Sequence, residues 1–227
     1  MNLKIKPHKS KLELVYDTLK NAIVSGEWKP GERRNANEIG KILGVSRTPV
    51  IEASRLLGLE GLLKVLPQVG LEVTRLTSEE AEEIFYVRGA LSGLAAVHAC
   101  RHLTDKDLAK LEKMAQSMDL CTKDSNSEEF GRLNREFHHH IFRSCNLPHL
   151  IMMLERYWNN GNRYARYFGC LPGVMASTAR NHHEILKALK ERDEMRAKTA
   201  AEKNCFEFGI ALSNYLKTEN IANGEFS

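Results

Sequence analysis

Long apolar runs are missing from this chain of 227 residues. A membrane-crossing helix needs about 18 of them in succession, so no membrane partner is expected. The basic N-terminus MNLKIKPHKS lacks the apolar stretch of a leader, which argues against secretion and for a cytoplasmic location. Cysteine is sparse: the five residues at 100, 121, 145, 170 and 205 are odd in number and form no CxxC pair. That excludes a disulfide framework and a zinc-finger pattern, and leaves buried or idle thiols of a reducing compartment. Strand signals are absent beyond residue 76. What is present is an ordinary soluble balance, 42% hydrophobic and 27% charged, enough for one large domain or two small ones with real cores.

Charge is unevenly divided. Residues 1–77 carry 13 Lys/Arg against 8 Asp/Glu, net +5, while residues 78–227 carry 20 against 21, net −1. A small basic head on a neutral body is the distribution of a polyanion-binding module joined to something else.

The head reads as three helices and a hairpin. KLELVYDTLKNAIVSG places Leu12, Val15, Leu19 and Ile23 at helical spacing and stops at Gly26. NANEIGKIL forms a short second helix with Ile39, Ile42 and Leu43 inward, ended by Gly44. A third helix follows, N-capped by Ser46 or Thr48 with Pro49 in its first turn. Val50, Ala53 and Leu57 mark its buried face; Arg47, Ile51 and Arg55 form a second stripe that packing does not need. LLKVL and LEVTRL then alternate as two strands around PQVG. Helix, helix-turn-helix and wing form a DNA-binding plan, in which the start of the third helix enters the major groove and Arg47 reaches guanine or phosphate.

The stretch VYDTLKNAIVSGEWKPGERRNANEIGKILGVSRTPVIEASRLLGLEGLLKVLPQVGLEV resembles the DNA-binding domain of the GntR family of bacterial transcription regulators. The resemblance implies DNA contacts from Asn37, Ser46, Arg47 and Thr48, with Gly70 at the wing tip. The family usually has arginine where this chain has Ile51, a basic residue at Val69 and leucine at Arg34. Ile51 and Arg55 join the expected DNA-facing set through the stripe.

Residues 78–218 read as helices at about 78–101, 104–121, 126–145, 147–168, 174–191 and 193–216, an all-α bundle opened by a cap at Thr77 or Ser78. The polar residues on its apolar faces carry the information. In GRLNREFHHHIFRSCN the inward face is Leu133, Asn134, Phe137, His138, Ile141 and Cys145; His139 and His140 fall on outer faces with Arg135, Arg143 and Glu136. His182 shares a face with Ile185, Leu186 and Leu189, while His183 points out; Asn204 aligns with Ala197, Ala201 and Phe208. Two inward histidines and two inward amides make a polar cavity, because buried polar groups need partners.

VRGALSGLAA, LNREFHHHIFRSCNLPHL and NHHEILKALKERDEMRA are similar to the all-helical FCD effector-binding domain of the FadR-like branch of that family. Many such domains hold a divalent metal through one Asp and three His. By that resemblance the four positions are Asn134, His138, His182 and Asn204, so only His138 and His182 remain as metal ligands. A divalent metal is expected to bind weakly, since amide oxygen replaces carboxylate and imidazole, and no other cofactor is assigned. Arg88 matches an arginine facing the pocket and can pair with a ligand carboxylate, and the glutamate usual four residues on is Ser92.

The expected architecture is therefore mainly α: residues 1–76 a winged helix-turn-helix DNA-binding domain, residues 77–227 an all-helical effector-binding and dimerisation domain. The expected protein is a homodimeric, ligand-responsive repressor of operator DNA, with a small acidic metabolite as effector. Two other readings exist. One is a regulator-derived module with weakened DNA recognition, given Ile51 and Val69. The other is a metal-assisted hydrolase, which would need an inward carboxylate where Asn134 stands.

Overall fold

The computed structural model describes residues 9–66, 70–75 and 77–222, with side chains described outside 159–166 and 219–222. The chain divides into two compact units, Met1–Arg75 and Leu76–Ser227.

In the first unit α1 (Lys11–Val24) starts on a capping box, in which the Ser10 hydroxyl accepts from the Glu13 N–H and the Glu13 carboxylate accepts from the Ser10 N–H. The strand β1 (Arg33–Arg34), α2 (Ala36–Leu43), α3 (Arg47–Leu59), β2 (Leu63–Leu66) and β3 (Gly70–Val73) follow. Val15, Leu19, Ile23, Ile39, Val50, Ala53, Leu57, Leu71 and Val73 close one apolar core, so the expected buried face of α3 is the observed one. Ser46 is its N-cap.

Two expectations fail here. Ile42 is 78% exposed, not inward. The buried stripe of α2 runs Ala36, Ile39, Gly40 and half-buried Leu43, the i, i+3, i+4, i+7 set, and Ile42 lies off it. The sheet also has three strands, not two, ordered β1-β3-β2 and antiparallel throughout. β1 pairs Arg33 with Glu72 and Arg34 with Leu71. Two exposed arginines show no alternation, so pattern alone could not reveal the strand. Its presence dictates Gly70, whose φ is +123° and where a Cβ would stand 2.5 Å from the Arg34 carbonyl oxygen. Val69 lies outside the described residues.

The second unit is built from α4 (Ser78–His102), α5 (Asp105–Lys123), α6 (Ser127–Ser144), α7 (Pro148–Ala165), a 3-10 turn (Arg166–Gly169), α8 (Val174–Lys190) and α9 (Glu194–Ala222). Thr77 caps α4 through a box with Glu80. The long helices α4 and α9 pack along one another. Their approach uses glycine, since a Cβ at Gly89 would lie 2.3 Å from the Phe206 ring and one at Gly209 2.5 Å from the Phe85 Cβ. α8 packs on α9, and α5 packs on both α6 and α8, which surrounds the inner face of α6. No helix among the described residues is long and apolar enough to cross a membrane. Four cysteines are buried and Cys170 is exposed, and no disulfide joins the described residues.

Candidate functional site

In the first unit the ends of α2, α3 and the hairpin enclose an open cleft of about 580 Å³, lined by Asn37, Arg47, Thr48, Ile51, Arg55 and Gly70 among others. Six of the seven residues expected to face DNA therefore converge on one surface. The seventh, Ser46, is exposed at the start of α3, and its hydroxyl makes no cap bond to its own helix. The turn that brings α2 and α3 together depends on Gly44, at φ +66°, which ends α2 in the left-handed conformation. Arg47 and Arg55 are exposed and form no ion pair among the described residues. Ile51 is half-buried, one edge against the core and the other on the cleft.

Sequence reasoning missed Glu52, Val65 and Leu66, which also line the cleft. Glu52 sits one residue round from Ile51 and places a carboxylate among the arginines. Helical phase could have found it, since it follows Thr48 at i+4.

In the second unit His138, His182, Asn134, Asn204 and Arg88 are all buried. The ring nitrogens His138 Nε2 and His182 Nε2 stand 3.2 Å apart. Asn204 Nδ2 lies 3.0 Å from the same His138 Nε2. His182 Nδ1 is 2.8 Å from the Thr178 carbonyl oxygen, one turn earlier on α8. Thus residues 44 and 66 positions away from His138 in sequence meet it in space. Asn134, one turn before His138 on the same face of α6, has a buried Oδ1 with no hydrogen-bond partner among the described residues, as does the Oδ1 of Asn204. Burial, together with the neighbouring His182 and Arg88, pushes His138 well below the usual histidine range. Burial pushes His182 down to about 3. Both rings are neutral near pH 7.

Aromatic rings wall the cluster. Phe137 meets His182 edge-on at 4.5 Å, and Trp158 lies against His138 at 4.7 Å. The Arg88 guanidinium stacks over Trp158 at 4.1 Å and over Phe85 at 4.4 Å, contacts that hold a buried cation in place.

The other two histidines of the triple run are not on solvated outer faces. His139 is half-buried, its ring 6.0 Å from Trp158 and 6.1 Å from Phe142. His140 is half-buried with Nε2 3.0 Å from Asp107 of α5. The outer flanks of α6 are covered because Trp158 of α7 and Asp107 of α5 pack against them, which the phase of α6 alone cannot show. His183 is exposed as expected and meets Asp119 at 2.9 Å.

The donor set does not fit a metal. Among the described residues no three His, Cys, Asp or Glu side chains converge to hold one. Two imidazoles and two neutral amides replace the Asp and three His of the related site, and the amide nitrogen of Asn204 already occupies the His138 ring nitrogen.

Comparison with known proteins agrees with this layout. The family described as bacterial regulatory proteins, gntR family, matches residues 11–73, and the FCD domain matches residues 83–204. The HTH-type transcriptional regulator YdhC of Bacillus subtilis (strain 168) is 32% identical over 185 residues, 81% of this chain and 82% of that one. The HTH-type transcriptional regulator McbR of Escherichia coli (strain K12) is 30% identical over 183 residues, 79% of this chain and 82% of that one. The solved structure of E. coli McbR/YncC superimposes with a TM-score of 0.74 at 26% identity, covering 92% of this chain and all 100% of that one. A gluconate operon transcriptional repressor of Bacillus licheniformis is 30% identical over 142 residues, 63% of this chain and 56% of that one. The chain belongs to the GntR family: it is a DNA-binding transcription regulator with an FCD effector domain.

Proposed function

We propose that this regulator acts as a homodimeric repressor whose first unit reads an operator half-site and whose second unit senses a small organic acid. The convergence of Asn37, Arg47, Thr48, Ile51, Arg55 and Gly70 on one open cleft carries the reading of DNA. Exposed Arg47 and Arg55 serve phosphate or guanine, and the apolar edge of Ile51 suits a thymine methyl. A single head of this size offers too small a contact area for tight specific binding, and two heads on a pseudo-palindromic site supply it. Buried Arg88, stacked between aromatic rings, is the group for an effector carboxylate. The gluconate operon repressor among the relatives is named for an operon concerned with such an acid. The effector acts by binding the operator-competent and incompetent arrangements with different affinity.

The test is a gel-shift titration on the protein's own promoter region, run across salt concentrations, with sedimentation of the same sample. The expected result is a dimer that binds one pseudo-palindromic site with a steep salt dependence. A monomer at micromolar concentration that still binds one operator tightly would overturn the dimer. A salt-insensitive or absent shift would favour a head whose DNA recognition has weakened.

A further inference from the structure

The protons around His138 do not balance. A carbonyl oxygen only accepts, so the 2.8 Å contact of His182 Nδ1 with Thr178 places the ring proton on Nδ1. In the neutral ring Nε2 is then a bare lone pair. An amide nitrogen only donates, so the 3.0 Å contact from Asn204 Nδ2 makes His138 Nε2 a lone pair as well. These two lone pairs face each other at 3.2 Å, and neither has a proton to give the other. Turning the Asn204 amide over lets His138 Nε2–H donate to His182 Nε2, but Asn134 Oδ1 still has no donor. That single proton would then serve two acceptors, His182 Nε2 and Asn204 Oδ1, so acceptors still outnumber donors.

Beside this pair stand Asn134 Oδ1 and Asn204 Oδ1, both buried and both without a donor among the described residues. The cluster thus holds an excess of acceptors, and a buried acceptor left unmet costs free energy. A metal ion is one way to satisfy lone pairs, but here it would find two imidazoles and, at best, neutral amide oxygens in place of carboxylate and a third imidazole, a weak set for a divalent ion. A bare carboxylate would add lone pairs to lone pairs. A cationic donor would meet the field of the Arg88 guanidinium, which stacks on the same Trp158 ring that covers His138.

We infer that the effector meets this cluster directly, without a metal, through uncharged hydrogen-bond donors: hydroxyl or amide N–H groups received by Asn134 Oδ1, Asn204 Oδ1 and His182 Nε2. The inference rests on the reading of the second unit as the effector domain and names the chemistry of that site. Asn134 and Asn204, which replace metal ligands, become the residues that select a hydroxylated ligand.

The experiment uses the full chain, dialysed against a chelator, with two matched pairs of acids: hexanoate against gluconate, and succinate against tartrate. Binding is followed by calorimetry and thermal melting. At least one hydroxylated member is expected to bind about tenfold or more tighter than its match, because a site built to bond a hydroxyl rejects the analogue lacking it. Asn134→Leu and Asn204→Leu are each expected to reduce that ratio toward one. Asn134→Asp combined with Asn204→His should instead create a zinc-dependent rise in the melting temperature. A measurement without substitution guards against misfolded variants: the nitrogen-15 signal of His182 Nε2 should move toward that of a hydrogen-bonded acceptor with the hydroxylated acid only. Equal binding within both pairs, a response that needs added zinc, or a melt indifferent to all four acids overturns the inference. The parent reading fails in a different way, with tight selective binding that leaves operator affinity unchanged.

Discussion

The open cleft of the head and the closed cluster of the bundle use polar groups in opposite ways. The cleft of the head is open, and Arg47, Thr48 and Arg55 stand exposed with charge and hydrogen-bonding capacity uncommitted. The cluster in the bundle is closed, with His138 and His182 1% and 0% exposed and both held neutral by burial. An open surface suits a polyanion, whose charges are screened and exchanged with salt. A closed one suits a small molecule that must be recognised atom by atom, because each unmet polar group there costs free energy. Substitutions should therefore divide cleanly. Changes in the bundle cluster should alter stability, and changes in the cleft should alter DNA binding with the fold intact.

The largest effect is expected from Phe137→Ala. This ring is fully buried and packs edge-on against both His182 and His138. Deleting it removes apolar contact and leaves a cavity beside the two imidazoles, at a cost of about 3–5 kcal/mol. Calorimetry should show the destabilisation in the unit that carries α6. A loss below about 1 kcal/mol would mean that the cluster is loosely packed, and would weaken the contrast between the closed site and the open one.

Acid should find the same difference. Unfolded, His182 takes up a proton below about pH 6.5; folded, it resists until about pH 3. Its contribution is full above pH 6.5 and is lost as the pH falls through that window, because the unfolded chain then binds the extra proton. Between pH 7.5 and 4.5 this amounts to roughly 2–3 kcal/mol. Urea melts at the two pH values should differ by less in His182→Gln than in the unmodified protein. Equal differences would mean that the ring is not held neutral by burial.

Much of this contrast was legible in the residues. Val50, Ala53 and Leu57 fixed the phase of α3 and so the outward direction of Arg47 and Arg55. The inward phase of Asn134, His138, His182 and Asn204 followed from single helices, and the structure brings His138, His182 and Asn204 into contact. The failures have different causes. Ile42 lies off the helical stripe of Ala36, Ile39, Gly40 and Leu43, so phase alone places it outside. His139 and His140 do lie off the inner stripe of α6, but Trp158 and Asp107 arrive to cover them, which one helix's periodicity cannot show. β1 escaped because two arginines carry no alternation, and its pairing is long-range. Glu52 lies off the stripe of Arg47, Ile51 and Arg55, four residues after Thr48, and only the cleft shows that this neighbouring face is shared.

In the cleft, Arg47→Ala should leave the melting temperature nearly unchanged, as expected for an exposed side chain with no partner among the described residues. Operator binding should fall by about 1–3 kcal/mol, the discrimination a well-placed arginine gives at a base edge. The contribution separates by sequence. If Arg47 holds guanine, the loss is confined to the specific operator; if it holds phosphate, non-specific DNA suffers equally and the salt slope becomes shallower. A large fall in melting temperature would place Arg47 in the fold instead of the interface.

The smallest expected change is the most diagnostic, because Ile51 belongs to both worlds. It packs one edge on the core of the head and lines the open cleft with the other. An isoleucine cannot neutralise a phosphate, but it can rest on the C5-methyl of thymine, an apolar mark carried in the major groove. Replacing that thymine by uracil in each half-site should weaken binding by the unmodified protein. In Ile51→Arg the same replacement should have little effect, and the slope of log K against log salt should steepen by about 0.9, one phosphate contact. The half-buried position sets the control. Arginine there must swing its stem off the core edge and into the cleft, with Glu52 beside it as a carboxylate partner that would blunt the gain. The double variant Ile51→Arg, Glu52→Gln removes that partner and should recover the full change in slope. A folded double variant with unchanged slope and unchanged thymine preference would show that this side of α3 does not meet DNA, and the open cleft would lose its claim to be the reading surface.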